Sequence, residues 1–272
     1  MPTRPPLDDL IALALAAGRE ILAVRAQGIG ASEKLDGSIV TLADHRAEAL
    51  IEEGLAKLAP GVPMIGEEAV AAGRIPECGD RFFCVDPLDG TRGFAKGGDE
   101  FTVNIALVEN GAPTIGVVFA PATGELYAGE GAHALSARYD PASFAPTRTL
   151  APIATAASMH KPPCVVASDF SGRNERTASF VAALNGVTTH ASSSIKFCRV
   201  AEGAADLYPR FGDVSEWDTA AGHAVLSAAG GGVMTLDGAP LNYGMRKGDF
   251  IIHGFIAFGS AAAASAARNA LG

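Results

Sequence analysis

Acidic residues of this sequence lie where predicted strands end, an arrangement that can bind a divalent metal ion. Asp86 and Asp89 follow the apolar run at 82–85, which is typical of a buried strand bounded by a turn. Pro87 fixes the backbone between them, so the two carboxylates can converge on one point. The Asp-Gly pair at 89–90 turns the chain, and a helix starting after it would present free N–H groups to a phosphate. A solvated tight turn is the simpler alternative.

More acidic residues end or begin other predicted elements. Glu67 and Glu68 end the apolar run at 63–66, and Asp218 lies at the start of a predicted small-residue helix. If strand geometry persists, Glu67 and Glu68 point to opposite faces, so only one can be a direct metal ligand. Carboxylate oxygens suit Mg²⁺ or Ca²⁺ better than softer metals. Taken alone, each of these acids is more often a solvated side chain or a helix cap than a metal ligand.

Two further stretches leave a structural and a functional interpretation open. Asp44 lies at the start of a predicted helix that continues toward Leu58, with Glu48 one turn later on the same face. Asp44 is either a cap or solvated acid, or a carboxylate directed at the central site. Ser193, Ser194 and Lys196 lie in a hydroxyl-rich turn before another predicted helix. They could bind a phosphate or a sugar hydroxyl, or form an ordinary cap followed by a surface lysine.

The composition limits the classes of function. The chain has 272 residues, of which 48% are hydrophobic and 19% charged, which suits a compact globular protein. A formal net charge of −9 provides no basic field for a nucleic-acid polymer, although a divalent cation can still recruit a small phosphorylated metabolite. The four cysteines form no C-x-x-C pair, and no signal peptide or membrane span stands out. We therefore expect a cytoplasmic protein with reduced thiols.

The pattern of elements predicts a mixed α/β fold, with an α+β N-terminal half and an α/β C-terminal half. An amphipathic helix is predicted from about 7 to 25, and a hairpin-rich antiparallel set of strands from 101 to 127. Asn110-Gly111 is the strongest two-residue hairpin signal in the chain. Strands and helices alternate in the second half.

A domain boundary is predicted near the middle of the chain. Residues 141–163 are rich in proline, alanine, serine and threonine, a composition typical of a junction. We expect an N-terminal domain at 1–150 that carries the metal-binding and catalytic motifs. A C-terminal domain at 151–272 would carry the last metal ligand and the residues that set substrate specificity.

Three motifs together resemble those of the inositol monophosphatase superfamily of Mg²⁺-dependent, Li⁺-sensitive phosphatases. They are GEE at 66–68, DPLDGT at 86–91 and WDTAAG at 217–222, and the resemblance covers nearly the whole chain. It implies a five-layered αβαβα sandwich of the inositol monophosphatase and sugar phosphatase type, with two or three Mg²⁺ ions between its halves. It is also compatible with a homodimer. The metal ligands that it implies are Glu67, Asp86, the carbonyl of Leu88, Asp89 and Asp218.

The resemblance also implies a mechanism for phosphate hydrolysis. Thr91, paired with Asp44, would activate the attacking water, and Glu68 is grouped with these catalytic residues. The amides of Gly90 and Thr91 would hold the phosphate, while the metal ions neutralise its oxygens. Because a threonine hydroxyl is a poor base by itself, either Asp44 orients and polarises it or the metal performs most of the deprotonation.

Within the superfamily, the sequence is most similar to the CysQ-type 3′(2′),5′-bisphosphate nucleotidases. The similarity lies in EFTVNIALVENG at 100–111, SSIKFCRVAEG at 193–203 and LYPRFG at 207–212. These enzymes remove the 3′-phosphate of adenosine 3′,5′-bisphosphate, and the sulfated form of that nucleotide is a further candidate substrate. The resemblance therefore implies a Mg²⁺-dependent phosphomonoesterase with a nucleotide substrate.

The substrate-binding residues follow from the same resemblance. Ser193, Ser194 and Lys196 match the nucleotide-contacting segment, and Arg210 together with Lys196 would suit a second phosphate. The histidine that stacks near adenine in the nucleotidases is replaced in this sequence, where Phe170 offers a stacking surface. Base recognition is thus less well predicted than phosphate hydrolysis.

Two other functions stay open at this point. One is a neighbouring phosphatase specificity, for inositol 1-phosphate, histidinol phosphate or a sugar bisphosphate. The other is an inactive metal- or nucleotide-binding protein, which the complete set of expected ligands disfavours.

Overall fold

A computed structural model describes residues 4–28, 31–33, 39–168, 174–244 and 249–272. The helices are α1 (Leu7–Gln27), α2 (Leu42–Leu58), α3 (Glu67–Ala71), α4 (Thr91–Ala95), α5 (Glu175–Ala183), α6 (Ile195–Ala201), α7 (Glu216–Ala228) and α8 (Ala261–Leu271). The strands of the first half are β1 (Ala31–Glu33), β2 (Ile39–Thr41), β3 (Met64–Gly66), β4 (Arg81–Asp89), β5 (Thr102–Glu109), β6 (Ala112–Ala120), β7 (Glu125–Glu130), β8 (His133–Tyr139) and β9 (Pro146–Pro152). Those of the second half are β10 (Cys164–Ala167), β11 (Val187–His190), β12 (Leu207–Arg210), β13 (Val214–Ser215), β14 (Gly232–Thr235), β15 (Ile251–Ile252) and β16 (Phe255–Phe258).

The first sheet has seven strands in the order β3-β4-β5-β6-β7-β8-β9. β3 pairs with β4 in parallel, and the other neighbours are antiparallel. Asn110 and Gly111 connect β5 to β6 with positive φ angles of 53° and 79°, as a two-residue hairpin loop of this type requires. The predicted hairpin and the antiparallel set are therefore confirmed.

The second sheet has five strands in the order β11-β10-β12-β16-β14. β10 is parallel to both of its neighbours, whereas β16 is antiparallel to β12 and β14. The sheet alternates with helices along the chain, as predicted for an α/β half. Strand β10 begins this half at Cys164, and α5 follows it, capped by Asn174, whose side chain accepts the N–H of Arg176.

Two sheets and three layers of helices build a five-layered αβαβα sandwich, which confirms the predicted fold. Helices α1 and α2 cover one face of the first sheet, and α6 and α7 lie between the two sheets. Helices α5 and α8 cover the outer face of the second sheet. Both faces of the first sheet are apolar, as successive side chains of β4 show. Phe83 and Val85 join the core beneath α1 and α2, whereas Phe82 and Cys84 join the core around α7.

The connection between the sheets runs from 153 to 163, since β9 ends at Pro152 and β10 begins at Cys164. Helix α7 follows this connection in the chain and yet packs on β4, β5 and β6 of the first sheet. The division into domains at 150 stays a prediction.

The four cysteines are all free, and Cys84 and Cys198 are buried. Among the residues that the structure describes, no helix combines the length and the apolar character needed to cross a bilayer.

Candidate metal and phosphate site

Three aspartates converge where β4 of the first sheet meets the start of α7. The side chains of Asp86, Asp89 and Asp218 each offer a carboxylate oxygen, and these oxygens lie within 4.8 Å of one another. The ladder between β4 and β5 is irregular between Asp86 and Asp89, and the Leu88 N–H donates to Asp86 Oδ1 at 2.9 Å. This break in the strand lets two residues of one strand, three positions apart, face the same point.

The cluster forms one wall of a cavity of about 260 Å³. Its lining residues are Glu67, Asp86, Leu88, Asp89, Gly90, Thr91, Arg92 and Asp218. The structure thus brings together all five metal ligands that the sequence resemblance implies. Because β3 and β4 are parallel neighbours, their carboxyl ends lie at one sheet edge, and this places Glu67 beside the aspartates.

The buried carboxylates of this cluster repel one another, and this repulsion costs folding free energy. Burial raises the pKa of Asp86 well above its usual range, and Glu67, Asp89 and Asp218 raise it further. Burial likewise raises the pKa of Asp218 to about 7, with Asp89 as the next cause. A divalent cation relieves this repulsion, and carboxylate and carbonyl oxygens are the ligands that hard cations prefer. The residues present therefore fit a divalent metal of that kind.

Thr91 and Asp44 are in hydrogen-bond contact at the edge of this cavity. Thr91 Oγ1 lies 3.0 Å from Asp44 Oδ1 and 2.9 Å from the carbonyl oxygen of Leu88, so its single proton can be donated to either. The other oxygen of Asp44 accepts from the N–H and the hydroxyl of Thr41 at 2.7 and 2.6 Å. Thr41 is the cap of α2, and Asp44, the third residue of that helix, completes the capping box while it also contacts Thr91. The predicted catalytic role of Asp44 stays a prediction.

Asp218 has the matching position at the start of α7, where Ser215 is the cap. Its Oδ2 accepts from the Ser215 N–H at 3.1 Å, which completes a capping box. The spacing Ser215 to Asp218 repeats the spacing Thr41 to Asp44, where the hydroxyl residue caps and the acid follows three positions later. A helix start defined in this way leaves little freedom for the acid that faces the site.

Glu67 and Glu68 open the short helix α3 and do not continue the strand, because β3 ends at Gly66. Successive helical residues are rotated by about 100°, so the two side chains still diverge. Glu67 faces the cavity, whereas Glu68 is buried and is not one of the described residues that line it. The predicted catalytic role of Glu68 stays a prediction.

Glu48 is a buried acid that the sequence interpretation did not assign to the site. Its Oε2 accepts the backbone N–H of Glu68 at 2.8 Å, and burial raises its pKa. A Cβ atom at Gly66 would lie 2.6 Å from this oxygen, so only glycine allows the approach. Glu48 therefore anchors α3 next to Glu67. The available signal was its position one turn after Asp44 on α2.

A second cavity of about 290 Å³ adjoins the acidic one and shares Asp89, Gly90 and Asp218 with it. Its remaining lining residues are Gly93, Glu100, Ser168, Ser192, Ser193, Lys196, Tyr208, Arg210, Val214 and Thr219. Most of these follow β10, precede α6 or belong to β12 and its neighbours in the second half. The site is therefore built from both halves of the chain.

Lys196 is the buried cation of the second cavity. Its Nζ donates to the Ser193 carbonyl at 2.7 Å and lies 5.2 Å from the centre of the Tyr208 ring. Burial lowers the pKa of Lys196 to about 8, although Asp89 acts in the opposite direction. Lys196 is therefore not a surface lysine, and its side chain can lose its positive charge at mildly alkaline pH.

The neighbouring serines serve mainly to connect the two halves. The Ser193 hydroxyl donates to the Asp89 carbonyl at 3.0 Å and still lines the second cavity. Ser194 is buried, and its hydroxyl donates to the Asp218 carbonyl at 2.8 Å. The hydroxyl of Ser194 is therefore engaged with the protein.

Arg210 lines the second cavity together with Lys196, and its Nη2 donates to the Asp213 carbonyl at 2.9 Å. The sequence interpretation did not assign Glu100 to the site, yet its side chain lines the same cavity and hydrogen-bonds to Ser192 of the hydroxyl-rich turn. Phe170, the residue suggested for base stacking, lies outside the described residues.

The sandwich and its acidic cavity define a class of protein. A family model described as the inositol monophosphatase family matches residues 6–266, and the chain belongs to that family. The family consists of metal-dependent phosphatases. The resemblance stated from the three motifs is thereby confirmed.

Particular relatives carry a narrower name. A protein of Shigella flexneri named 3′(2′),5′-bisphosphate nucleotidase CysQ is 40% identical over 251 residues, which is 92% of this chain and 98% of that protein. A protein of the same name from Buchnera aphidicola is 38% identical over 262 residues, or 93% of this chain and 94% of that protein.

Solved structures agree with this placement. The crystal structure of CysQ from Bacteroides thetaiotaomicron, a bacterial member of the inositol monophosphatase family, matches with a TM-score of 0.75 and 35% identity, covering 93% of this chain and 96% of that one. The structure of an inositol monophosphatase from Thermotoga maritima matches with a TM-score of 0.74 and 25% identity, covering 98% of this chain and 99% of that one.

Proposed function

We propose that this protein is a Mg²⁺-dependent 3′(2′),5′-bisphosphate nucleotidase that removes the 3′-phosphate of adenosine 3′,5′-bisphosphate. The observation that carries the proposal is the shared wall of two cavities, one acidic and one containing Lys196 and Arg210. A substrate with two phosphates on one ribose can place the scissile phosphate in the first cavity and the other phosphate in the second. Relatives named as bisphosphate nucleotidases, about 40% identical over nearly the whole chain, support the same function.

Each residue of the acidic cavity has a distinct part in the proposed reaction. Glu67, Asp86, Asp89, Asp218 and the Leu88 carbonyl would hold the metal ions, which we propose to number two or three. When bound, Mg²⁺ stabilises the charge of the phosphoryl oxygens and makes water a better nucleophile at neutral pH.

The water is oriented by the protein itself. We infer that Thr91 Oγ1 accepts a hydrogen bond from the attacking water while passing its own proton toward Asp44 Oδ1, 3.0 Å away. Asp44 can take up this charge relay role because Thr41 fixes its other oxygen. The water is thereby held for attack in line with the leaving ribose oxygen.

The phosphate is proposed to rest on the turn between β4 and α4. Gly90 has a φ of 102°, and a Cβ there would lie 2.8 Å from Ser193 Oγ and 2.9 Å from the Glu100 carbonyl. Glycine is therefore required at this turn, because of its positive φ and its close approach to Ser193 and Glu100. The amides of Gly90 and Thr91 supply uncharged donors for the phosphate oxygens.

Substrate preference is the direct test of the proposal. With Mg²⁺ present, we expect phosphate release from adenosine 3′,5′-bisphosphate to exceed release from inositol 1-phosphate by at least about 100-fold in kcat/KM, since the second phosphate adds charged contacts. Both substrates are assayed in parallel, then with added Li⁺, which should inhibit.

The other outcomes separate the alternatives. A preference for inositol 1-phosphate, histidinol phosphate or a sugar bisphosphate would contradict the nucleotide assignment and leave the metal centre intact. Mg²⁺ binding without release from any of these esters would indicate an inactive binding protein. The cytoplasmic location and the homodimeric state of the protein also remain predictions.

The charge of Lys196 predicts a pH dependence for the bisphosphate substrate. Because its pKa in the free protein is about 8, the ammonium group is lost as the pH rises through that value. The kcat/KM for adenosine 3′,5′-bisphosphate should therefore fall about tenfold per pH unit above the pKa, measured as a pH profile.

Two lysine variants test whether Lys196 causes that fall. Lys196→Met should lower kcat/KM by about 10- to 100-fold at pH 7 and remove the alkaline decline. Lys57→Met is the matched control, because Lys57 is exposed on α2 and pairs only with Glu53 among the described contacts. An unchanged alkaline decline in Lys196→Met would assign the titration to another group.

A further inference from the structure

Two buried polar residues of β5 lie directly beside the aspartates of the acidic cavity. In the ladder between β4 and β5, Thr102 is the partner of Asp89 and Asn104 is the partner of Asp86. Directly paired residues of neighbouring strands project to the same face of the sheet. This face is the one that packs against α7, whose first turn carries Asp218.

Both side chains have polar atoms without hydrogen-bond partners. Thr102 and Asn104 have 0% of their surface exposed, and neither Thr102 Oγ1 nor Asn104 Oδ1 and Nδ2 finds a partner among the described residues. Buried polar groups in folded proteins are nearly always paired, since an unpaired one costs folding free energy. These two unpaired residues are adjacent on one face and lie beside the same cluster of aspartates. We infer that their polar atoms find hydrogen-bond partners in another state of this site.

The carboxylates are the groups within reach. Asn104 is the cross-strand partner of Asp86 and Thr102 that of Asp89, and side chains paired in this way have Cβ atoms about 4.5–5.5 Å apart. The polar atoms of Thr102 and Asn104 nevertheless form no hydrogen bond with these carboxylates in the structure. Hydrogen bonds at catalytic sites commonly tighten only when the site is loaded.

We propose that Thr102 and Asn104 are positioning residues for the metal: in the metal-bound protein they donate hydrogen bonds to the carboxylates of Asp89 and Asp86. These bonds fix the orientation in which the carboxylates ligate, because a carboxylate held by a neutral donor cannot rotate away from the cation. The proposal rests on the metal centre of the proposed function and is independent of the nucleotide preference.

Two variants remove the donors with little change of shape. In Thr102→Val and Asn104→Leu, we expect Mg²⁺ affinity, measured by isothermal titration calorimetry, to fall about 10- to 100-fold. The melting temperature of the protein treated with EDTA should stay the same or rise, because each variant deletes an unpaired buried polar group. A purely structural role predicts the reverse, a lower melting temperature with unchanged Mg²⁺ affinity.

Thr123→Val is the matched control. The hydroxyl of Thr123 is also buried without a partner among the described residues, but it lines a different cavity together with Glu125 and Arg199. Its replacement should leave Mg²⁺ affinity unchanged. Thr102→Ser should restore the affinity that Thr102→Val loses.

The outcomes are distinct from those of the substrate test. Equal Mg²⁺ affinity in the wild type, Thr102→Val and Asn104→Leu would overturn the positioning role, whichever substrate the enzyme prefers. If the wild type bound no Mg²⁺, both the metal centre and the positioning role would be wrong. A preference for inositol 1-phosphate, by contrast, leaves the result of the titration unaffected.

Discussion

Asp86→Asn is expected to lower Mg²⁺-dependent phosphate release by about 1000-fold or more and, at the same time, to stabilise the metal-free protein. The loss follows because one of three converging carboxylates is removed from the cavity. Several kcal/mol of metal-dependent transition-state stabilisation correspond to about that factor in rate. The measurements are kcat with saturating Mg²⁺ and thermal unfolding in EDTA.

The gain in stability follows from the sign of the pKa shift. The folded-state pKa of Asp86 is raised by burial and by Glu67, Asp89 and Asp218, so the folded protein binds protons that the unfolded chain has released. Stability of the metal-free protein therefore falls as the pH rises from about 4, the usual aspartate pKa, toward 7, the value near which Asp218 titrates. Asparagine removes one of the repelling charges.

The control is Asp80→Asn, which alters an exposed aspartate just before β4. It should change neither turnover nor the melting temperature in EDTA. Wild-type protein should melt at a higher temperature at pH 5 than at pH 7.5 in EDTA, and added Mg²⁺ should reverse that order. A lower melting temperature for Asp86→Asn at pH 7.5 would mean that the cluster is not strained by its own charge.

Local signals in the sequence were sufficient for most of the fold. Asn110-Gly111 fixed a hairpin because both residues accept positive φ, and the apolar run before Asp86 placed a central strand of the first sheet. The layering needed the family resemblance in addition. Periodicity does not reveal that α7, which follows the second-half strands in the chain, packs on the first sheet.

The acids of the site were visible in the sequence, but their supports were not. Asp86, Asp89 and Asp218 stand in motifs that carry the family resemblance, and that resemblance, not the spacing alone, assigned Asp218 to the site. Thr102 and Asn104 instead depend on cross-strand register, which becomes known only when β5 is aligned with β4. Buried residues that act through neighbours leave no motif of their own.

At Glu67 and Glu68, strand geometry was predicted from the sequence, but the structure has a helix. Alternation along a strand predicted that the two side chains diverge, and they do, although the chain is helical from Glu67 onward. The reason is that Gly66 ends β3 where Glu48 accepts the Glu68 N–H. That contact spans 20 residues, so no local pattern could show it.

Asp44→Asn is the second change for which a large effect is expected, and it separates the two roles of Asp44. A single oxygen would remain to accept either the two donors of Thr41 or the hydroxyl of Thr91. If that oxygen stays with Thr41 and keeps the cap, the amide NH₂ faces Thr91 and donates to it, so Thr91 can no longer pass a proton on. We expect kcat to fall about 100- to 10,000-fold, with Mg²⁺ affinity nearly unchanged.

Thr41→Val supplies the opposite pattern. It removes the hydroxyl that caps α2, whereas the Thr41 backbone N–H still holds Asp44 Oδ2 at 2.7 Å and Oδ1 still contacts Thr91. Thr41→Val should therefore cost about 0.5–2 kcal/mol of stability with little loss of kcat. Comparing kcat with the melting temperature in both variants therefore assigns the cap and the proton path separately. Nearly full turnover of Asp44→Asn at neutral pH would show that the metal deprotonates the water unaided, since the Thr91–Asp44 pair would then carry no proton.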